Sequence, residues 1–263
     1  MDILDLADAH KPLVAECLED WSPEVKEAGP RRARWIERFL AKGLRVKLAV
    51  HDSGAIGGMV QFLPIEHWPV QGRDLHFVPC IWVHGHRQGR GNFQGRGMGS
   101  ALLEAAEADA RRAGAKGMAA WGVWLPFWMK ASWFKKHGYR KADRDGLAVL
   151  VWKPFTEEAE APRWLKLRKK PPESVPGKVT VTSFVGGWCT AGNLTAERAR
   201  RAAAEFGDQV AYQEIDTSDR AAVVEWGHGD ALFVDAKTVR TGPPPSHEKI
   251  RTLVARRVRR LSR

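Results

Sequence analysis

The residues Gln94-Gly95-Arg96-Gly97-Met98-Gly99-Ser100 follow the apolar run Ile81-Trp82-Val83 and open a stretch of helical periodicity. A strand, a glycine-rich turn and a helix start gather several backbone N–H groups around one point, and the positive end of the helix dipole adds to them. That combination is an anion site. Glycine suits it because a side chain would stop the backbone closing on a phosphate. Arg90 and Arg96 bring guanidinium groups for charge-assisted contacts. A Walker A loop would end in Gly-Lys-Ser/Thr, and this one does not. A dinucleotide-binding fold wants GxGxxG directly after its first strand, whereas this loop follows a later one. A loop that merely turns the chain is the remaining alternative.

The elements that must hold this loop can be read from periodicity. Leu13, Val14, Cys17 and Leu18 predict one helix, with Pro12 tolerated in its first turn, and Ile36, Phe39 and Leu40 predict a second over Arg31–Ala41. Strands are expected at Arg45–Val50, Ile56–Leu63 and Asp74–Val83, the first two joined as a hairpin through His51-Asp52-Ser53-Gly54. Leu102, Leu103, Ala106 and Ala110 predict a helix over Ser100–Ala113, stopped by Gly114. A strand at Gly117–Trp124, a helix at Phe127–His137 and a strand at Leu147–Trp152 complete a mixed α/β (α+β) domain. Residues 156–177 mix acidic and basic clusters with Pro162, Pro171, Pro172 and Pro176, which reads as an extended linker. The expected division is therefore 1–155, a linker at 156–177, and 178–263.

The second part reads as strand Val179–Phe184, helix Thr195–Phe206, strand Val210–Ile215, helix Arg220–Trp226, hairpin Ala231–Val234 with Thr238–Arg240, and helix Ser246–Arg260. Thr195 and Ser246 are expected N-caps. No solenoid-length repeat is present.

Composition bounds the partners. The chain has 263 residues with 42 Lys+Arg against 31 Asp+Glu, a net charge of +11, concentrated in part at Arg163–Lys170 and Arg256–Arg263. Such a surplus favours polyanions, so nucleic acid is a possible if secondary partner through the basic linker and tail. No apolar run approaches the ~18–20 residues that span a bilayer, and the acidic start Met1-Asp2-Ile3-Leu4-Asp5 is unlike a signal peptide; no membrane association and a cytoplasmic location are expected. Cys17, Cys80 and Cys189 are too widely spaced for a disulfide framework or structural zinc site, so no metal is expected. Of 12 Trp residues, Trp121, Trp124, Trp128 and Trp133 crowd one stretch, read as core aromatics rather than a stacking platform.

Gln94-x-x-Gly97-x-Gly99, following Ile81-x-Val83 on a strand, resembles the acetyl-CoA signature of GNAT-family N-acetyltransferases, and Trp133-Phe134-Lys135-Lys136-His137-Gly138-Tyr139 resembles that family's later helix. The resemblance covers residues 1–155 and implies a GNAT-like fold that takes acetyl-CoA as co-substrate and acetylates an amine acceptor whose identity stays open, as does the oligomeric state. It implies a diphosphate on the amides of Gln94, Gly95, Gly97, Gly99 and Ser100, with Arg96 and Met98 at the variable positions. A pantetheine arm would lie along Ile81, Trp82 and Val83. The chain departs from the pattern twice. The stretch between Val83 and Gln94 is longer than usual, leaving Gln88-x-x-Gly91 as a competing frame, and Phe134 stands where many members carry a tyrosine acid. The implied attack of a neutral amine on a thioester needs a base and a donor to the leaving thiolate. Glu66, His67, His84 and His86 are the candidate bases, with Glu66 and His84 preferred, and water or Tyr139 would supply the acid.

The order of elements over 178–258 resembles the thioredoxin fold, and Trp188-Cys189-Thr190-Ala191-Gly192 falls where that family has Trp-Cys-x-x-Cys. Cys189 just before a helix is a candidate low-pKa thiol. Gly192 in place of a second Cys excludes dithiol exchange. Such a domain behind an acetyltransferase also resembles the bacterial YoaP-type arrangement. The alternative to an enzyme is a non-catalytic CoA or nucleotide sensor with a partner-docking or monothiol redox module.

Overall fold

The computed structural model describes residues 1–124, 129–239 and 243–261, which divide into two compact units. One comprises Met1–Trp21 and Ile36–Lys166, the other Ser22–Trp35 and Leu167–Arg263. The division departs from the expected one at residues 22–35, which belong to the second unit.

The first unit holds β1 (Asp2–Asp5), α1 (Lys11–Ala15), the end of α2 (Pro23–Leu40), β2 (Arg45–Val50), β3 (Ile56–Pro64), β4 (Val70–Gln71), β5 (Leu75–Val83) and α3 (Met98–Arg112). It continues with β6 (Gly117–Val123), α4 (Ala131–Lys136), β7 (Arg140–Asp145), β8 (Ala148–Pro154) and β9 (Arg163–Trp164). Seven strands form one sheet in the order β1-β2-β3-β5-β6-β8-β7. Every pairing in it is antiparallel except β5 with β6. Leu102, Leu103, Ala106 and Ala110 of α3 pack on Val60, Phe62, Val78 and Met118 of the sheet, and Phe134 of α4 joins the same core. Each large side chain so buried contributes about 2 kcal/mol.

Several expectations need correction. Helix α2 begins at Pro23, not Arg31: Val25, Ala28, Arg32, Trp35, Ile36 and Phe39 form one continuous buried stripe. Pro30 lies inside the helix on its exposed side, where the loss of one backbone bond is tolerated. Strands β1 and β7 were not expected, because DILD and RKADRD lack apolar alternation; both are sheet edges, where charge is the rule. Within the expected linker, Arg163–Trp164 pairs with Val70–Gln71. The expected helix at Phe127–His137 is Ala131–Lys136; its first part, including Trp128, lies outside the described residues. Trp121 and Trp133 do pack on the core, but Trp124 is 69% exposed.

The second unit holds the first part of α2, β10 (Val179–Val185), α5 (Thr190–Ala204), β11 (Val210–Asp216), α6 (Arg220–Trp226), β12 (Ala231–Val234), β13 (Lys237–Val239) and α7 (His247–Leu261). Its four strands run in the order β11-β10-β12-β13, with β10 parallel to β11 and antiparallel to β12. Ala199, Ala202 and Ala203 of α5 and Ile250 and Val254 of α7 pack on Val179, Val181 and Leu232. Within this unit α2 is tied by ion pairs: Arg31 to Glu197 and Glu214, and Glu24 to Arg198 and Arg201. Helix α5 starts five residues before the expected Thr195, whose hydroxyl instead donates to Ala191 O at 2.9 Å from inside the helix. Ser246 does cap α7, accepting from Lys249 N at 3.2 Å. Arg240 and the end of the basic tail, 262–263, lie outside the described residues.

Candidate functional site

Strands β5 and β6 pair from Leu75↔Gly117 to Val78↔Ala120 and no further, although β5 runs on to Val83 and β6 to Val123. Beyond Val78 the other edge of β5 stays paired with β3, up to Gly58↔Val83. The two parallel strands therefore diverge, and Trp121 Nε1 donates across the divergence to Pro79 O at 2.8 Å. His84 N donates to Gly57 O on the β3 side. Backbone groups alternate along a strand, so the N–H and C=O of Ile81 and Val83 face the open edge. These are the backbone positions the sequence singled out.

The glycine loop adjoins the same end of β5. Gln94, Gly95, Arg96 and Gly97 are exposed, Gly99 and Ser100 partly buried, and Met98 fixed in the core. Gly97 is the N-cap of α3 at φ +79°, with no side-chain cap, and Gly95 lies at φ +76°. A Cβ at either would touch nothing within 4 Å, so glycine is required there by backbone conformation rather than crowding. Gly97 O already accepts from Ala101 N, whereas the N–H groups of Met98, Gly99 and Ser100 are first-turn donors that the helix itself cannot satisfy. Helix α3 thus presents its positive end outward. The carboxamide of Gln94 folds back over Gly85 and donates to Val83 O at 3.4 Å, bracing the loop against the strand. Arg96 reaches His51 Nε2 at 2.9 Å. Arg90 is committed elsewhere, in a bidentate pair with Asp20, and does not join the loop as expected. The competing frame at Gln88–Gly91 lies in an excursion closed by the Gly85↔Asn92 bridge; only the second frame runs into α3.

The candidate bases separate. Glu66 accepts from Asp74 N at 3.2 Å, in the turn Ile65–His67 that follows the Pro64↔His76 pair. His76 and Val83 are some seven residues apart on β5, roughly 20 Å. Glu66 and His67 therefore sit at the opposite end of the strand from the loop. His84 is fully buried, with Nδ1 2.6 Å from Gly91 O and Nε2 3.7 Å from a Glu19 carboxylate oxygen. His86 Nε2 lies 4.0 Å from the other Glu19 oxygen and is 57% exposed. Glu19 was missed because nothing in the sequence of an irregular connection between two helices signals the strand end it will face.

Phe134 is fully buried. Tyr139 is 3% exposed, and burial, reinforced by the nearby Glu107 charge, holds its hydroxyl well above the ordinary phenol range. It is a core residue that keeps its proton. A pairing the sequence did not disclose joins Ser100 Oγ to His137 Nε2 at 2.8 Å.

In the second unit Cys189 is the N-cap of α5 and half-buried, and none of Cys17, Cys80 and Cys189 is in a disulfide. The fully buried Arg32 donates to Thr190 Oγ1 at 3.2 Å, placing a cation at the same helix start. A Cβ at Gly192 would lie 2.6 Å from the Asp230 carboxyl carbon. Burial pushes the Asp230 carboxyl up to about 6, against the Gly186 N–H bond at 2.8 Å that draws it down. Among the described residues there is no His/Cys/Asp/Glu group that could hold a metal and no helix long and apolar enough to cross a membrane.

No protein-family model matches the chain, and no curated protein does. Solved structures that resemble it include a ribosomal-protein-alanine N-acetyltransferase from Brucella melitensis, at 17% identity and TM-score 0.45, covering 59% of this chain and 100% of that one. A GNAT-family acetyltransferase from Brucella melitensis, solved with acetyl-CoA, is 16% identical at TM-score 0.40, covering 63% and 96%. The PaiA N-acetyltransferase of Thermoplasma acidophilum, solved with coenzyme A, is 15% identical at TM-score 0.42, covering 59% and 100%.

Proposed function

We propose that the first unit, Met1–Trp21 with Ile36–Lys166, is a GNAT-like, acetyl-CoA-dependent N-acyltransferase with an amine as acceptor. The observation that carries this is the divergence of β5 from β6 after Val78, beside the exposed, uncapped start of α3. An extended amide-bearing arm can pair with the free edge at Ile81 and Val83 while its diphosphate takes the N–H groups of residues 95–100. One ligand that is both peptide-like and phosphorylated fits both features, and a coenzyme A thioester is such a ligand. Its acyl carbon would lie near Val83, whose N–H faces the open edge to polarise the carbonyl. The amine lone pair forms the C–N bond as the C–S bond breaks; the acylated nitrogen releases its extra proton to water, and the thiolate takes one from water, since Phe134 has none to give and Tyr139 is sealed in the core.

The second unit we read as thioredoxin-like, from its β10-α5-β11-α6-β12-β13-α7 order and the position of Cys189, and as lacking dithiol chemistry. Its site is the monothiol Cys189.

Acetyl-CoA should raise the Tm of the parent protein, and Gly97→Val should remove that rise, because a β-branched residue is strained at φ +79° and blocks approach to the amides. Absence of any shift with acetyl-CoA or CoA in the parent overturns the proposal. The burial of both Phe134 and Tyr139 favours one second reading, a CoA-binding sensor without turnover. Tight binding with no amine-dependent release of CoA would select it.

A further inference from the structure

The segment 84–93, which lengthens the chain between Val83 and the glycine loop, is gripped by three consecutive residues from the connection between α1 and α2. Glu19 faces His84 and His86, Asp20 takes Arg90 in a bidentate pair, and Trp21 packs so closely on Gly89 that a Cβ there would lie 2.1 Å from its ring. The segment therefore forms a fixed wall at the open end of β5. Val83 directs its side chain toward Gly58 and Gly99, the α3 side, so Trp82 and His84 point to the other face of the sheet. There the rings of Trp82 and His86 lie 6.3 Å apart, and those of His84 and His86 5.5 Å.

Within this wall one acid lacks a strong cation. Asp20 is matched by Arg90, but Glu19 has no Lys or Arg partner among the described residues, and 16% of its side chain is exposed. The ring of His84 is aimed at it from full burial, and its Nε2 makes no hydrogen bond. With Nδ1–H donated to Gly91 O, that Nε2 carries a lone pair toward Glu19, at a distance suited to sharing a proton as an ion pair.

We infer that Glu19 is the group that receives the ammonium of the acceptor and takes its proton, with His84 as a positioning residue that shares it. The acceptor is then a primary amine on an aromatic or apolar body, held by the Glu19 carboxylate and the ring faces of Trp21 and Trp82. This rests on the acyltransferase reading of the same site. Loss of one N–H proton to Glu19 leaves the neutral amine that attacks the thioester, and that proton leaves to solvent through His86, the exposed member of the cluster. Besides His84 and His86, the charges beside Glu19 are those of the Asp20–Arg90 pair.

The test uses the full chain with acetyl-CoA and phenethylamine as the probe amine, following CoA release across pH, with the acetyl-CoA thermal shift measured on every variant. The expected result is amine-dependent CoA release by the parent, and a kcat lower by about 100-fold in Glu19→Gln with the acid limb of the pH profile lost. Glu19→Asp should be intermediate, and both variants should keep the acetyl-CoA shift, which shows that they fold. A parent that is stabilised by acetyl-CoA but does not acetylate phenethylamine overturns this inference alone. So does a Glu19→Gln variant with the parent's pH profile. A parent that acetyl-CoA does not stabilise overturns the acyltransferase reading instead.

Discussion

The Ser100 hydroxyl donates to Nε2 of His137 across 2.8 Å, and Nδ1 of the same ring donates to Trp133 O at 2.9 Å. The carbonyl admits only a donor, so the tautomer follows from the network. The pair ties the first turn of α3, where the glycine loop ends, to the residue that follows α4. Ser100→Ala removes this tie but no loop amide. It should cost about 1 kcal/mol, read as a Tm lower by a few degrees, while the acetyl-CoA thermal shift shrinks without vanishing.

Asp109 is 5% exposed on α3 and meets Arg45 at 2.9 Å and Lys47 at 3.1 Å on β2. Burial pushes its carboxyl up, but the hydrogen bonds and charges of Lys47 and Arg45 outweigh that and hold it below the usual carboxylate value. A depressed folded value stabilises the protein above the unfolded pKa of ~3.9, and that stability is lost as pH falls through the folded value. Asp109→Asn leaves a buried ammonium partnered, among the described residues, by Asp5 alone. Urea unfolding should show a loss of about 2–3 kcal/mol at pH 7 that narrows toward pH 3.

The sequence disclosed the elements with clear periodicity and the loop with clear chemistry. Arg220–Trp226 and Ala231–Val234 fall where apolar spacing puts them, and the loop at 94–100 opens α3 as expected. What it concealed has physical reasons. Pro30 reads as a helix stop, yet its exposed position lets α2 run through. Cys189 rather than Thr195 caps α5: the added first turn buries Asn193, whose Nδ2 donates to Gly187 O at 2.8 Å, a tertiary contact that no local capping signal discloses. Glu19 and Glu66 look alike as isolated acids, and only the register of β3 on β5 separates the end with the loop from the end without it.

The raised carboxyl of Asp230 makes a prediction with the opposite sign to that of Asp109. Its folded value of about 6 stands above the ordinary aspartate value, so the folded state binds the proton more tightly. Stability is then greatest below the unfolded value and falls as pH rises from about 4 to 6. Asp230→Asn keeps an acceptor for Gly186 N–H and removes the ionisation. It should stabilise the protein by roughly 2–3 kcal/mol at pH 7 and by little at pH 4, checked by Tm measured at both. An equal effect at the two pH values would mean that the Asp230 charge is not what costs stability.

Gly192 owes its identity to the same carboxyl. A Cβ there would stand 2.6 Å from both Cγ and Oδ1 of Asp230, well inside contact distance. Cys189 and residue 192 share one face of the first turn of α5, so Asp230 fills the space a second thiol at this spacing would need. Gly192→Ala should therefore destabilise by about 1–3 kcal/mol through overpacking. In Asp230→Ala the obstruction is gone, and Gly192→Ala should become neutral or stabilising, as alanine is in a helix interior. A double-mutant cycle by urea denaturation should give a coupling of at least about 1 kcal/mol between the two sites. Additive effects would mean that the chain yields elsewhere, and that Gly192 is not held by Asp230.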